Sequence, residues 1–242
     1  MGDERFDVTF RGVRGSIPSP ISGKEIEQKL IKALELVKPG DLKSPAHIAS
    51  FVQSLPDHLK WCYGGNTSCV HADVGGNNIV FDAGSGLRLL GNEMMEGEFG
   101  DGRGVAHIFL SHTHWDHING IPFFMPFYVK GNNLFLYGLH KDFKKRLISQ
   151  QKFEYFPVPF HKHGANVEFV DLNKFSKQEV GGAVITWKKM EHPGHSYSYR
   201  LDYKGKSVVY ATDVEYKKLS KNSLKPVADF FRKADLLIFD SQ

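Results

Sequence analysis

Cysteine is scarce in this 242-residue chain. Cys62 and Cys69 are the only two, too few for a disulfide framework and most simply read as buried small residues, so a packed core must carry the fold and a reducing cytoplasm is the simplest home. No apolar run comes near the roughly 20 residues of a membrane span. The amino terminus, Met1-Gly-Asp-Glu-Arg-Phe6, is charged and has no apolar stretch, which argues against a secretory leader, and Phe6 breaks the myristoylation pattern. An excess of one charge is also lacking. The 31 Lys and Arg against 27 Asp and Glu leave a net charge of +4, which favours an anionic substrate but makes no nucleic-acid footprint. What is present is 41% hydrophobic and 13% aromatic residues. That composition excludes disorder and supports a sizeable core in one large domain or two small ones.

The chemistry concentrates in Val105-Ala-His-Ile-Phe-Leu-Ser-His-Thr-His-Trp-Asp-His-Ile-Asn-Gly120. Val105 to Leu110 is an apolar run that predicts a buried strand. Immediately after it stand His112, His114, Asp116 and His117, four potential ligands within six positions. Imidazoles and a carboxylate crowded at a strand's C-terminal end suit one metal ion, or two sharing a site.

The rest of the chain reads as strands and helices around that stretch. Asp7 to Phe10 predicts a first strand, followed by a glycine-rich turn, Arg11-Gly-Val-Arg-Gly-Ser-Ile-Pro18, whose Arg11 and Arg14 read as solvated charge or, for Arg14, a phosphate contact. Residues 21–60 read as a helical insert. Ile26, Leu30, Ile31, Leu34 and Val37 recur at helical spacing up to Pro39-Gly40, and a second helix is expected over Ala46 to Ser54. Its charges are nearly balanced, so it is no basic arm, and it is expected beside the active-site mouth or at a subunit contact. The stretch Tyr63-Gly-Gly-Asn-Thr-Ser-Cys-Val-His-Ala-Asp73 turns into a strand, and a turn at Gly75-Gly-Asn77 and a buried strand Ile79-Val-Phe81 follow.

A helix is expected from Leu87 to Met95. Ile121 to Tyr128 is an aromatic stretch suited to core packing or to a pocket wall. Further strands are expected at Asn133–Tyr137, Ala183–Trp187 and Ala234–Asp240, with a hairpin over 201–213 turning at Lys204-Gly205, and Phe143 with Leu147 marks the inner face of a helix. His161 and His163 repeat the His-x-His spacing, but no Asp-His pair follows, so a loop is expected there rather than a second metal site. His192 and His195 lie in a third histidine-bearing loop, and Asp213 ends a strand.

His112-Thr-His-Trp-Asp-His117, together with Gly64-Gly-Asn-Thr-Ser-Cys69 and Asp82-Ala-Gly-Ser-Gly86, resembles the metallo-β-lactamase superfamily, in particular its phosphodiesterase and RNase Z-like branch. The resemblance covers nearly all of the chain. It implies an α+β fold, an αββα four-layer sandwich of two mixed β-sheets flanked by helices, in one domain over residues 1–242. It implies two zinc ions, with Mn2+ or Fe2+ as alternatives. His112 and His114 would serve the first metal, Asp116 and His117 the second, and Asp213 would bridge them. Asp82 would support the ligands from behind. The branch carries a metal-binding His seven positions before a Tyr-Arg pair, which His192 matches relative to Tyr199 and His195 does not. Asp116 and His195 are the candidate catalytic residues, His195 as a proton donor, and Asn66 either bonds near the metals or forms a turn.

The resemblance further implies a metal-dependent hydrolase in which a metal-bound hydroxide attacks a small phosphodiester or cyclic nucleotide. An esterase or thioesterase with the same ligands is the alternative, and a non-catalytic metal-binding domain is the third reading. No membrane partner is implied, nucleic acid is not favoured without a basic arm, and a homodimer is compatible. The zinc lactamases place Cys where Asp213 stands, and the flavin-linked diiron branch places a carboxylate at the position of His114, which disfavours both. The pattern departs at the end. Two-metal members add a further His beyond the strand matching Ala234–Asp240, and none follows here. The expectation is a truncated chain, a site completed by another residue such as His195, or a weak second site.

Overall fold

The computed structural model describes residues 4–62, 64–216 and 220–240. Tyr63, the Met1-Gly-Asp start and Ser241-Gln242 lie outside the described residues.

Eleven strands among the described residues form two mixed sheets. The first runs β1 (Phe6–Gly12), β2 (Cys69–Val74), β3 (Asn77–Phe81), β4 (Val105–Phe109), β5 (Asn133–Gly138) and β6 (Asn166–Asp171) in spatial as well as chain order. β1 to β3 pair antiparallel and β3 to β6 pair parallel. The second sheet is ordered β11 (Leu236–Phe239), β10 (Lys206–Ala211), β9 (Ser196–Tyr203), β8 (Ala183–Met190) and β7 (Gln178–Val180), with only the β10–β11 pair parallel.

Why the central strands carry consecutive apolar residues follows from the two-residue period of a strand. Val80 and Ile108 point away from the second sheet and pack with α4 (Gly86–Met94) through Leu87 and Leu90, with α6 (Phe143–Gln150) through Phe143 and Leu147, and with Ile121, Phe124 and Phe127. Their neighbours Ile79, Phe81 and Phe109 point the other way, into the space between the sheets, where they meet Ile185, Tyr199, Leu201 and Tyr210. Each central strand is therefore buried on both faces. On the opposite side α7 (Lys221–Phe231) lies against the five-stranded sheet, where Phe231 meets Phe239 at 5.9 Å between ring centroids.

Four elements have no counterpart in the sequence-based expectations, one of them the single helical turn Trp115–Ile118. β6 carries only a two-residue alternation of Val167 and Phe169, β7 is three residues long, and α7 contains Pro226, which reads as a helix breaker. Two readings are corrected. Cys62 is exposed, and only Cys69 is a buried small residue. Arg11 is not solvated loop charge: its Nη1 donates to Glu93 Oε1 at 2.6 Å and most of its side chain is covered. The aromatic stretch divides its work, since Phe124 and Phe127 are fully buried while Phe123 and Met125 are exposed.

The insert is helical as expected, with α1 at Gly23–Leu36, α2 at Pro45–Ser54 and a short α3 at Asp57–Lys60. Ser22 and Glu25 form a reciprocal capping box at the start of α1. No residue within these three helices is buried.

Two half-buried histidines couple the fold to pH. His107 stacks on Phe135 at 4.9 Å and meets Tyr137 Oη at 2.8 Å, and burial pushes it down to about 4. His163 stacks on Phe127 at 5.0 Å, and burial likewise pushes it down to about 4. Below pH 6.5 the unfolded chain protonates these rings while the folded chain does not, so unfolding takes up protons and stability falls as pH drops toward 4. Urea midpoints measured between pH 7 and 4.5 should decline, and less steeply in a His107→Phe/His163→Phe variant. An unchanged slope in that variant would exclude these rings as the source.

Candidate metal centre

All the expected ligands sit at strand ends or in the loops beyond them, on one edge of the sandwich. β4 delivers Ser111 and His112 from its C-terminal end. His114 then caps α5 (Trp115–Ile118), whose tight turn presents Asp116 and His117 inward. This turn packs so closely on the segment after β3 that no Cβ fits at two points. One at Gly84 would meet Asp116 O at 2.3 Å, and one at Gly120 would meet Gly84 O at 2.0 Å. From the second sheet, the β8–β9 loop brings His192, and the end of β10 brings Asp213.

Asp82 organises the edge from behind. It is fully buried and accepts four hydrogen bonds. Ser111 donates its N–H to Oδ1 at 2.7 Å, and Oδ2 receives Ser111 Oγ, Tyr210 Oη and His117 Nδ1, each at 2.7 Å. Because Ser111 Oγ donates to Asp82, it accepts from His112 Nδ1 at 3.0 Å. Both imidazoles are thereby turned with Nε2 toward the open edge, as histidine ligands require of the groups behind them. His192 is oriented the same way, its Nδ1 lying 3.1 Å from Glu215 Oε1.

The inward-facing atoms converge in two groups, each with ligand atoms within 4.8 Å of one another: His112, His114 and His192, and His112, His117 and Asp213. In the first, His114 Nδ1 lies 2.9 Å from His112 Nε2 and 3.1 Å from His192 Nε2. With their other nitrogens already donating, His112 and His192 present lone pairs to the same point. Such a cluster suits a cation, and a tetrahedral zinc site with Zn–N of about 2.0–2.1 Å places its nitrogens about 3.3 Å apart. In the second group His117 Nε2 lies 2.9 Å from Asp213 Oδ2 and 3.5 Å from Asp116 Oδ2. Asp116 stands at its margin and also accepts the Ser16 N–H at 2.7 Å.

The charges follow the geometry. Burial pulls His112 well below an ordinary histidine, helped by the charge of His117. Burial also opposes a charged His117, but the carboxylates of Asp82, Asp116 and Asp213 outweigh it and hold the ring well above its usual value. Desolvation of Asp213 and Asp116 is likewise overcome by His117, which keeps both ionised to well below the ordinary carboxylate range. Protonated His117 bridges Asp82 and Asp213, and its Nε2 proton lies where a divalent cation would compete for both groups.

His195 is not in either group. It is exposed, with φ at +68°, and its carbonyl accepts from His140 Nε2 at 3.1 Å. His161 and His163 flank a short turn away from the cluster, and His163 is packed among Phe127, Tyr128 and Phe160. Asn66 ties three segments together: its carbonyl accepts from Val13 N and Arg14 N, and Ser85 Oγ donates to its Oδ1. Sequence reasoning missed Ser16, Ser111, Tyr210 and Glu215. Only Glu215 left a signal, because it follows Asp213 by two positions and so falls on the same side of an extended chain.

Four of the six non-glycine residues with left-handed backbone among the described residues belong to this edge: Ser16, Asp82, His195 and Asp213. Asp tolerates that region better than most, yet each such residue costs on the order of 1–3 kcal/mol unless its surroundings fix it. At Asp82 and Asp213 the chain turns sharply at a strand end and aims a carboxylate at His117.

This edge-on cluster between two mixed sheets defines a class of metal-dependent hydrolase folds. Residues 77–242 match the sequence profile of the family described as the beta-lactamase superfamily domain, and the chain belongs to that superfamily. Ribonuclease Z of Haloarcula marismortui is 37% identical over 57 residues, 24% of this chain and 17% of that protein. Among solved structures, the metallo-beta-lactamase fold protein YhfI from Bacillus subtilis is 23% identical with a TM-score of 0.51, over 72% of this chain and 62% of that one. A diphosphatase from the PhnP family is 17% identical with a TM-score of 0.52, over 96% of this chain and 73% of that one. The chain thus spans under a fifth of the ribonuclease Z and less than two thirds of YhfI. At these identities the two structural likenesses are of fold.

The hub makes a direct stability prediction. Tyr210→Phe should lower unfolding free energy by about 1.5–3 kcal/mol, the value of one hydrogen bond to a charged group. Asp82→Ala should cost about 3–5 kcal/mol, since it strands His117 and Ser111 together. Urea denaturation of the metal-free protein reads both, and equal small effects would remove Asp82 from its central position.

Proposed function

We propose that this protein is a metal-dependent phosphodiesterase acting on a small phosphodiester or cyclic nucleotide. The observation that carries the reading is the convergence of His112, His114, His117, His192 and Asp213 from both sheets onto two overlapping ligand groups that share His112. His112, His114 and His192 would hold one divalent cation, and Asp116 with His117 the second, with Asp213 between them. The donor set of imidazoles and carboxylates suits zinc, with manganese or iron as alternatives. Bound there, the ions would supply a nucleophile at neutral pH and neutralise charge on the phosphoryl oxygens.

The chain's own groups supply the rest. Ser111 and Asp82 hold the His112 and His117 rings in ligand orientation, and Glu215 does so for His192. Ser16 N–H donates to Oδ2 of Asp116, the oxygen that lies 3.5 Å from His117 Nε2, and so fixes that carboxylate at the margin of the centre. His195, exposed in the same loop as His192, is proposed as proton donor to the leaving oxygen. Resemblance to the ribonuclease Z segment and the fold shared with a diphosphatase support phosphoester chemistry over the ester or thioester alternative.

Elemental analysis together with hydrolysis of bis-p-nitrophenyl phosphate tests the reading. Close to two zinc or manganese ions per chain with turnover is the expected result, and one metal or none with no turnover would sink it. His114→Ala should lose the first metal on dialysis with the fold retained by circular dichroism. Full metal content in that variant would refute the ligand assignment.

His195→Ala should slow turnover by about 10²-fold, the usual worth of a positioned acid, without changing metal content. Loss of a metal instead would make His195 a ligand.

A further inference from the structure

The insert lies outside the segment that matches the family, and its packing is incomplete. Among residues 21–60 only Leu55 is buried. The inner side of α1 is used: Lys29 Nζ donates to the carbonyls of His58 and Trp61 at 2.7 and 2.6 Å. Its other apolar side is bare. Ile26, Leu30, Ile31 and Leu34 are 45%, 59%, 50% and 67% exposed, and Ile48 and Val52, one turn apart on α2, are 42% and 43% exposed. Helices this short do not hold together in water by propensity alone, because their stability comes from burying an apolar face. Here the caps are complete and the face is not covered.

We propose that α1 and α2 form the contact surface to a second copy of this chain. The six side chains leave roughly 600 Å² of apolar area in water per copy, and with the polar atoms between them the surface approaches the roughly 800 Å² per partner that a stable dimer buries. Charge argues for self-pairing over a nucleic-acid or acidic partner. Between residues 23 and 60 stand six lysines (24, 29, 32, 38, 43 and 60) and five acids (25, 27, 35, 41 and 57). A surface so nearly neutral presents no field to a highly charged partner, and a two-fold axis lets one copy's lysines face the other's acids. The surface is also stiff where it joins the body. Ser19 N–H donates to Gly65 O at 2.7 Å, which clamps the two ends of the insert together.

Sedimentation equilibrium on the full chain from 1 to 100 µM decides the matter. The wild type should be dimeric in this range, and Leu30→Glu/Leu34→Glu should weaken the dimer at least ~100-fold with circular dichroism unchanged. Ile48→Glu/Val52→Glu should weaken it too, whereas Phe153→Glu, at an 83% exposed apolar residue outside the insert, should not. A wild type that stays monomeric at 100 µM overturns the proposal, whatever the variants do. A dimer that survives both pairs of substitutions, or one that Phe153→Glu breaks equally, places the interface elsewhere and overturns it as well.

Discussion

A buried carboxylate must be paid back in hydrogen bonds, and Asp82 collects four. Those bonds come from the end of β4, from α5 and from β10, so one side chain ties the two sheets together at the edge where the ligands emerge. Tyr199 adds a second tie, its hydroxyl donating across the sheets to Leu110 O at 2.7 Å, and Tyr197 N–H a third, to Ser111 O. With the edge pinned in this way, His112 and His117 have no freedom to turn their ring nitrogens outward. The cluster is preorganised because the groups behind it have no other partners to choose.

Most of what builds this edge was legible in residue order. The runs Ile79-Val-Phe81 and Val105–Leu110 announce central strands because they are apolar at every position but His107, and the structure packs Val80 and Ile108 on one face and Ile79, Phe81 and Phe109 on the other. The histidines and acids that follow such runs had to emerge at strand ends, and the structure brings His112, His114, His117, His192 and Asp213 together there. His192 rather than His195 enters the cluster, the one of the two that the family resemblance pointed to. What stayed hidden depends on contacts between distant segments. Ser16 acts through its backbone amide, so its residue type carries no trace of the role. Tyr210 reads as one more apolar-face residue of a strand until the sheets are stacked. Cys62 looked like a core residue because small size and low polarity say nothing about which side of a loop faces water.

The helical insert shows the same limit from the other side. Its periodicity gave the helices nearly to the residue, with α1 ending before Pro39 and α2 ending at Ser54. Periodicity reports that a face is apolar. It does not report what covers that face, which is a property of the assembly and not of the segment.

The ligand-bearing positions run from 112 to 213, and their supports from 16 to 215, across strands that pair in parallel and two sheets that must stack. Parallel pairing and long sequence separation make folding slow, since chain entropy is lost well before the contacts that compensate it form. No partly folded segment of this chain can present the full cluster. A cation that needs the whole constellation therefore binds only the finished fold, and it stabilises that state by mass action as its concentration rises above its dissociation constant. Metal supply would then set how long each newly made molecule, once folded, stays folded.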